Sequence, residues 1–261
     1  MPVYRGLFRI VQPEVVLEDI RRQVAAGAEH ITFGDPDFFN GPGHAVPIVE
    51  ALHREWPWLS YDVTIKVEHL LKHRVLLATL RDTGCAFVTT AVESFEDEVL
   101  ARLQKGHTFA DFREALALTR EIGLPLAPTF IPFTPWTTRA SYLQFLRTLV
   151  DLDLATQVGP IQLAIRLLIP EGSLLLELPE IRSMIGLFDP KALTYPWRNP
   201  DRSMDALCVA IQNLIKRAEK RRTSRSALFR QIWDVAEAGE FPDRPMADRA
   251  TIPYLTEPWY C

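Results

Sequence analysis

Ala86-Phe87-Val88-Thr89-Thr90-Ala91-Val92 follows Gly84-Cys85 and leads into Glu93-Ser94. Its β-branched and apolar side chains read as a buried β-strand. The acidic residue at its end is informative. A carboxylate beside such a strand is costly unless paired, so Glu93 either binds a polar ligand or has a structural partner. Outward from this strand the pattern repeats. His30-Ile31-Thr32-Phe33 is a short strand broken at Gly34, and Tyr61 to Val67, Leu126 to Ile131 and Ile161 to Ile169 are further strands.

Helices are expected between them: Glu14 to Ala26, Val46 to Arg54, Leu70 to Asp82, Asp97 to Leu103, Thr108 to Ile122 and Arg139 to Leu152. Val15, Val16, Ile20 and Val24 make the apolar stripe of the first, and Gly27 stops it. Strand and helix alternate at intervals of roughly 25 to 40 residues, the rhythm of βα units on a mainly parallel sheet. The chain is therefore α/β. After Gly172 the rhythm stops. Leu174 to Ala192 reads as an extension across the body, Met204 to Arg221 and Ser224 to Ala238 as helices, and Gly239 to Cys261 as a Pro-rich tail. Lys216-Arg217-Ala218-Glu219-Lys220-Arg221-Arg222 reads as a solvated face suited to a helix C-terminus.

Composition excludes several classes. With 29 basic and 33 acidic residues among 261, the net charge is -4, so no global field favours nucleic acid. No apolar run approaches the ~18 residues of a membrane span. Met1 to Phe8 lacks the features of a signal peptide. Cys85, Cys208 and Cys261 are too sparse for a disulfide framework and lack zinc-ligand spacing, which points to a reducing, cytoplasmic setting.

In parallel α/β folds, ligands bind beyond the C-terminal ends of the strands. Those positions carry Gly34-Asp35-Pro36-Asp37, then Lys66, Glu68 and His69, then Glu93-Ser94, then Thr129 and Thr134, then Arg166. Asp35 and Asp37 suit Mg²⁺ or an ammonium group, or form an Asx-turn stiffened by Pro36. Lys66, between Ile65 and Val67, suits a Schiff base or a carboxylate, with an ion pair to Glu68 as the plain alternative. His69 reads first as a cap or packing group. Arg166, among apolar neighbours, pairs with a ligand anion or a structural carboxylate. Lys105-Gly106-His107-Thr108 lacks the upstream glycines of a phosphate loop.

Five segments taken together resemble one family. They are Ile31-Thr32-Phe33-Gly34-Asp35-Pro36-Asp37-Phe38, Thr64-Ile65-Lys66-Val67-Glu68-His69, and Ala91-Val92-Glu93-Ser94 with Leu103-Gln104-Lys105-Gly106-His107-Thr108. Thr129-Phe130-Ile131-Pro132-Phe133-Thr134-Pro135-Trp136 and Arg166-Leu167-Leu168-Ile169-Pro170-Glu171-Gly172-Ser173 complete the set. Over nearly the whole chain they resemble the radical S-adenosylmethionine (SAM) superfamily. They are most similar to a bacterial branch whose C-terminal tail reads Cys-Cys or Cys-selenocysteine, then Ala-Glu-Pro.

The resemblance implies an incomplete (β/α)₆ partial TIM barrel over residues 1–173 and a mainly helical extension over 174–261. It implies SAM and a [4Fe–4S] cluster held by C-x₃-C-x₂-C, whose reduction cleaves SAM to a 5′-deoxyadenosyl radical. A reducing partner such as flavodoxin or ferredoxin and a small-molecule or peptide substrate follow from it, with no nucleic acid and no membrane. Gly34, Asp35 and Asp37 would meet the methionyl amino group, with Asp35 the better candidate of the two acids. Glu93 and Ser94 would meet the ribose or amino-acid part of SAM. Lys66 and Glu68 would line the third strand as catalytic candidates, and Arg166 would face the SAM carboxylate or the substrate.

C-x₃-C-x₂-C is absent from the chain. In relatives a segment like Pro2-Val3-Tyr4-Arg5-Gly6 directly follows the cluster loop. The first strand and that loop are therefore expected to be missing, through a start codon set inside the reading frame or a cluster-free product. The retained strand-end residues favour the first explanation. Cys261 stands where the tail of the relatives opens. The chain by itself is expected to be inactive in radical chemistry. Two other functions stay open: a redox-free barrel enzyme, either a Lys66 lyase or a Mg²⁺ enzyme using Asp35, Asp37 and Glu93, and a non-catalytic SAM-binding or partner protein.

Overall fold

Four short strands set the frame. The computed structural model describes residues 10–242 together with Met246, Ala250 and Ile252. Strands β1 (His30–Thr32), β2 (Ser60–Thr64), β3 (Cys85–Glu93) and β4 (Leu126–Phe130) pair in chain order, all parallel. Val63 stands opposite Val88, and Ala91 opposite Thr129. Parallel neighbours need crossovers, and helices supply them: α2 (Pro42–Glu55), then α3 (Val67–Lys72) with α4 (Leu77–Asp82), then α5 (Asp97–Arg102) with α6 (Phe109–Ile122). Helix α1 (Pro13–Ala25) precedes β1, and α7 (Arg139–Asp151) follows β4.

The strands alternate. On β3 and β4, Val88, Thr90, Val92, Leu126, Pro128 and Phe130 are buried, whereas Thr89, Ala91, Glu93, Ala127 and Thr129 keep some exposure on the opposite face. Phe130 anchors the helix side, with ring centroids 4.8 Å from Phe95 and 5.3 Å from Phe145. Two helices there start on capping boxes, Thr108 with Asp111 and Thr138 with Ser141. Each box satisfies backbone donors that the helix start leaves open. Helix α6 stops at Gly123, whose φ of 77° admits the left-handed turn.

Three expected elements differ. The second strand ends at Thr64, so Lys66 becomes the N-cap of α3, and Glu68 and His69 lie on that helix. The helix expected from Leu70 to Asp82 breaks at His73, whose ring turns in against Phe39 and His69, both at 5.7 Å. The run Ile161 to Ile169 is not a strand. A 3₁₀ turn, Pro160–Leu163, occupies its start, and one parallel bridge joins Phe133 to Arg166. Side chains take the carbonyls a strand would have paired: Tyr142 Oη donates to Leu163 O at 2.9 Å, and Gln212 Nε2 to Ala164 O at 3.0 Å.

Beyond lie α8 (Pro179–Met184), α9 (Arg202–Arg221) and α10 (Arg225–Val235), the helical C-terminal extension. The fold is thus a partial barrel with its extension. Val99 on α5 and Leu103 at its end pack with Leu167, Ile169, Leu175, Ile181 and Trp197 in a second core, which joins the extension to α5. The tail expected after Gly239 lies largely outside the described residues.

Phe130→Ala should destabilise the protein by about 3–5 kcal/mol, because it empties the centre of the aromatic layer. Chemical denaturation of both proteins measures it, and a loss below about 1 kcal/mol would contradict this packing.

Candidate functional site

Three strand ends bring opposite charges into a row. After β1, Asp35 Oδ1 accepts the Asp37 backbone N–H at 2.9 Å, an Asx-turn that leaves Asp35 exposed and carries Asp37 inward to 4% exposure. Asp37 Oδ1 accepts the Lys66 backbone N–H at 3.3 Å. Its Oδ2 lies 3.6 Å from Lys66 Nζ, and 2.7 Å from His69 Nδ1 though off the line of a ring hydrogen bond. Lys66 reaches on to Glu68 at 3.9 Å, and its side chain stays 53% exposed.

Glu68 in turn lies against the loop between α5 and α6. Its Oε2 fills the space beside Gly106, where a Cβ would come within 2.9 Å of it. Gly106 has a φ of 74°, so backbone strain disfavours a side chain there, and a Cβ would also displace the end of the Glu68 side chain. The preceding residue, Lys105, turns back to Glu93 and closes an ion pair at 3.0 Å, both side chains less than a quarter exposed. Asp37, Lys66, Glu68, Lys105 and Glu93 thus run in sequence across the ends of β1, β2 and β3.

Glu93 itself is strained. Its φ of 69° is left-handed, and the β3–β4 register slips between Ala91 and Glu93. Such a bulge re-aims a side chain at a strand end. The Glu93 carbonyl still accepts the Ile131 N–H at 2.9 Å. Ser94 Oγ accepts the Glu96 N–H at 3.0 Å and braces the following turn. His107, 8% exposed, places Nε2 at 3.3 Å from Val92 O, and burial holds its imidazole below the ordinary range.

Arg166 stands apart from this row. It donates to Asp205 Oδ1 at 2.7 Å and to the Trp197 carbonyl, and it stacks 3.5 Å above the Trp197 ring. That arrangement fastens the extension to the barrel. Sequence reasoning did not single out Lys105 as a partner for Glu93. It also missed a polar group on β1 and β2. Asp62, 2% exposed, accepts the Thr32 hydroxyl at 2.6 Å and meets His30 Nε2 at 2.9 Å, while His30 Nδ1 meets Ser60 Oγ at 2.8 Å. The signal was an aspartate between Tyr61 and Val63 in an apolar strand.

The family model described as the radical SAM superfamily matches residues 2–149. The chain belongs to the radical SAM superfamily. It is 26% identical over 133 residues to the hopanoid C-3 methylase of Methylococcus capsulatus, an overlap of 51% of this chain and 25% of that protein. It also resembles the structure of the cobalamin-dependent S-adenosylmethionine radical enzyme OxsB with aqua-cobalamin bound. There the TM-score is 0.66 and the identity 18%, over 80% of this chain and 38% of that one. The archaeal Elp3 of Methanocaldococcus infernus, with an N-terminal deletion, gives a TM-score of 0.50 at 14% identity, over 77% of this chain and 51% of that one. These structural likenesses speak to the fold. The chain spans a quarter of the curated methylase and 38% of OxsB.

A radical SAM protein uses SAM and a [4Fe–4S] cluster, and the two fit this chain differently. The row offers carboxylates to an ammonium and to ribose hydroxyls, and lysines to a carboxylate, which matches the polar ends of SAM. The buried Asp37 Oδ2 lacks an aligned hydrogen bond, an acceptor well suited to such a ligand. The cluster does not fit. Cys85 is buried at the start of β3 and Cys208 on α9, and among the described residues no three histidines, cysteines or carboxylates converge on a metal. Cys261 lies outside the described residues. No step is therefore assigned to a cluster on these thiols.

Burial pushes the Cys85 thiol up to about 12 and the Cys208 thiol to about 11. Both should resist iodoacetamide in the native protein at pH 8 and react once it is unfolded. Peptide mass mapping reads this directly, and rapid native labelling of either would contradict the burial.

The folded pKa of His107 lies below its ordinary 6.5. The unfolded chain therefore binds a proton near pH 6.5 that the folded chain refuses, and stability contributed by neutral His107 is lost as pH falls below that value. His107→Gln keeps an N–H donor for Val92 O and should flatten the fall in stability between about pH 7 and 5.5. An unchanged slope would exclude His107 as its source.

Proposed function

We propose that this chain holds SAM along the row from Asp37 to Glu93 and so supplies the SAM-binding part of a radical SAM enzyme. The observation that carries this reading is Glu93. A left-handed, bulged residue keeps a half-buried carboxylate at a strand end, fixed by Lys105 at 3.0 Å. Strain of this kind is held where a side chain must be aimed. Gly34 leaves the turn after β1 without a side chain, and Asp35 and Asp37 offer oxygens to the methionyl ammonium. Each spends one oxygen on a backbone N–H, and Asp37 is the stronger of the two because its other oxygen is buried without an aligned hydrogen bond. Glu93, with Ser94 bracing the turn, faces the ribose hydroxyls or the amino-acid part. Lys66 and Lys105 counter the methionyl carboxylate, and Glu68 holds Lys66.

The catalytic candidates divide. Lys66 and Glu68 stay beside the ligand. Arg166, occupied by Asp205 and Trp197, acts through the extension that it fastens. The Schiff-base alternative loses support, because a lysine 53% exposed between two carboxylates lacks the desolvation that such chemistry uses. The Mg²⁺ alternative loses support because, among the described residues, no three histidines, cysteines or carboxylates converge on a metal.

SAM, when bound with the superfamily's cluster, supplies the 5′-deoxyadenosyl radical. This chain's residues bind and orient SAM. By family analogy the complete enzyme draws electrons from a reductant such as flavodoxin or ferredoxin and acts on a small molecule or peptide. We infer from the segments quoted above a resemblance, within the superfamily, to the tail-bearing bacterial branch.

Two measurements test this reading. Calorimetric titration should show SAM binding to the 261-residue chain, weakened about tenfold or more in Glu93→Ala. No binding, or equal binding by the variant, would contradict it. Anaerobic treatment of the same chain with iron and sulfide should leave no cluster absorbance near 400 nm attributable to Cys85 or Cys208. A band lost in Cys85→Ser or Cys208→Ser would overturn the assignment of those thiols to the core.

A further inference from the structure

A cleft of about 500 Å³ opens beside Glu93, between the turn after β3 and the first half of α7. Its floor is aromatic: Phe95 lies 5.0 Å from Phe109 and 5.5 Å from Phe145, ring centre to ring centre. At its rim stands Glu96, exposed on one side, its carboxyl held above the ordinary range chiefly by partial desolvation.

The cations that might neutralise Glu96 are engaged elsewhere. Lys105 pairs with Glu93 at 3.0 Å, Arg102 lies 4.0 Å from both Glu98 and Glu180, and Arg139 pairs with Glu237 at 2.7 Å. Among the described residues Glu96 enters no ion pair within 4 Å, and Asp97 and Glu98 add negative charge beside it. The start of α7 would otherwise attract an anion into the cleft. Its own capping box answers two of those N–H groups, Thr138 and Ser141, each bonded by the other's side chain at 3.1 Å. A carboxylate at the rim of a cleft floored by phenyl rings, with the neighbouring cations engaged by other carboxylates, selects a cation with an apolar stem.

We propose that this cleft receives an amine-bearing substrate, its ammonium on Glu96 and its alkyl stem over Phe95, Phe109 and Phe145. As a substrate site it rests on the reading of Glu93 as an edge of the SAM site; the binding itself does not. The amine is either that of a small molecule or a lysine side chain of a peptide.

NMR titration of the 261-residue chain with hexylammonium, N-acetyl-lysine methylamide, hexanol and hexanoate tests it. At least one amine should bind and shift Phe95, Phe109 and Phe145 signals, with hexanol and hexanoate weaker. Glu96→Gln should lower that affinity about tenfold, whereas Glu98→Gln lowers it less. Preference for the lysine derivative assigns the peptide source, and preference for hexylammonium the small molecule. No amine binding, equal binding of hexanol, or an unaffected Glu96→Gln overturns the proposal. SAM titrated into the same samples separates the two readings. Amine binding without SAM binding sinks the SAM site alone, and SAM binding without amine binding sinks this cleft alone.

Discussion

At Glu93 the third strand stops pairing in register, and what surrounds the strand ends is arranged about that slip. The residue adopts a left-handed backbone while its carbonyl stays in the sheet with Ile131, so the side chain leaves the strand at a fixed angle. Lys105 meets it from a loop whose own turn needs Gly106. Gly106 is also the surface against which Glu68 rests, so the bulge on β3, the loop before α6 and the first turn of α3 constrain one another. A change in any of them reaches the others through one ion pair and one close contact.

Two packed layers hold that constraint. On the helix side, Phe95, Phe112, Phe130 and Phe145 fix the distance between β4 and helices α6 and α7. Across the strand ends, Arg166 reaches from the barrel to Asp205 and Trp197. A half-buried guanidinium suits this task, since one group both stacks on an indole and donates to a carboxylate and a carbonyl. The extension is thereby tied to the barrel.

Much of this was legible in the residues, for reasons that also explain what was not. The run Ala86 to Val92, the cap at Thr108 and the stop at Gly123 are local signals, and the structure follows them. Glu93 was legible because a carboxylate after an apolar strand demands a partner, though the partner, Lys105, sits in a loop read only as a poor phosphate binder. The run Ile161 to Ile169 misled because its buried residues pack into two cores, Leu163 and Ala164 in the main one and Leu167 and Ile169 in the second, rather than into a sheet, and hydrophobicity does not record which partner does the burying. Lys66 was read as a strand residue because Ile65 and Val67 are both fully buried, one ending the strand region and the other opening a helix. The cluster's absence from the described thiols follows from the spacing of Cys85 and Cys208 alone.

A crystal structure of the chain with SAM bound tests the central claim most directly. The account predicts the methionyl ammonium and ribose hydroxyls within hydrogen-bonding distance of Asp37 and Glu93, with the Glu93–Lys105 pair intact or its lysine turned to the SAM carboxylate. SAM bound away from the ends of β1, β2 and β3, with the row from Asp37 to Glu93 untouched, would contradict it.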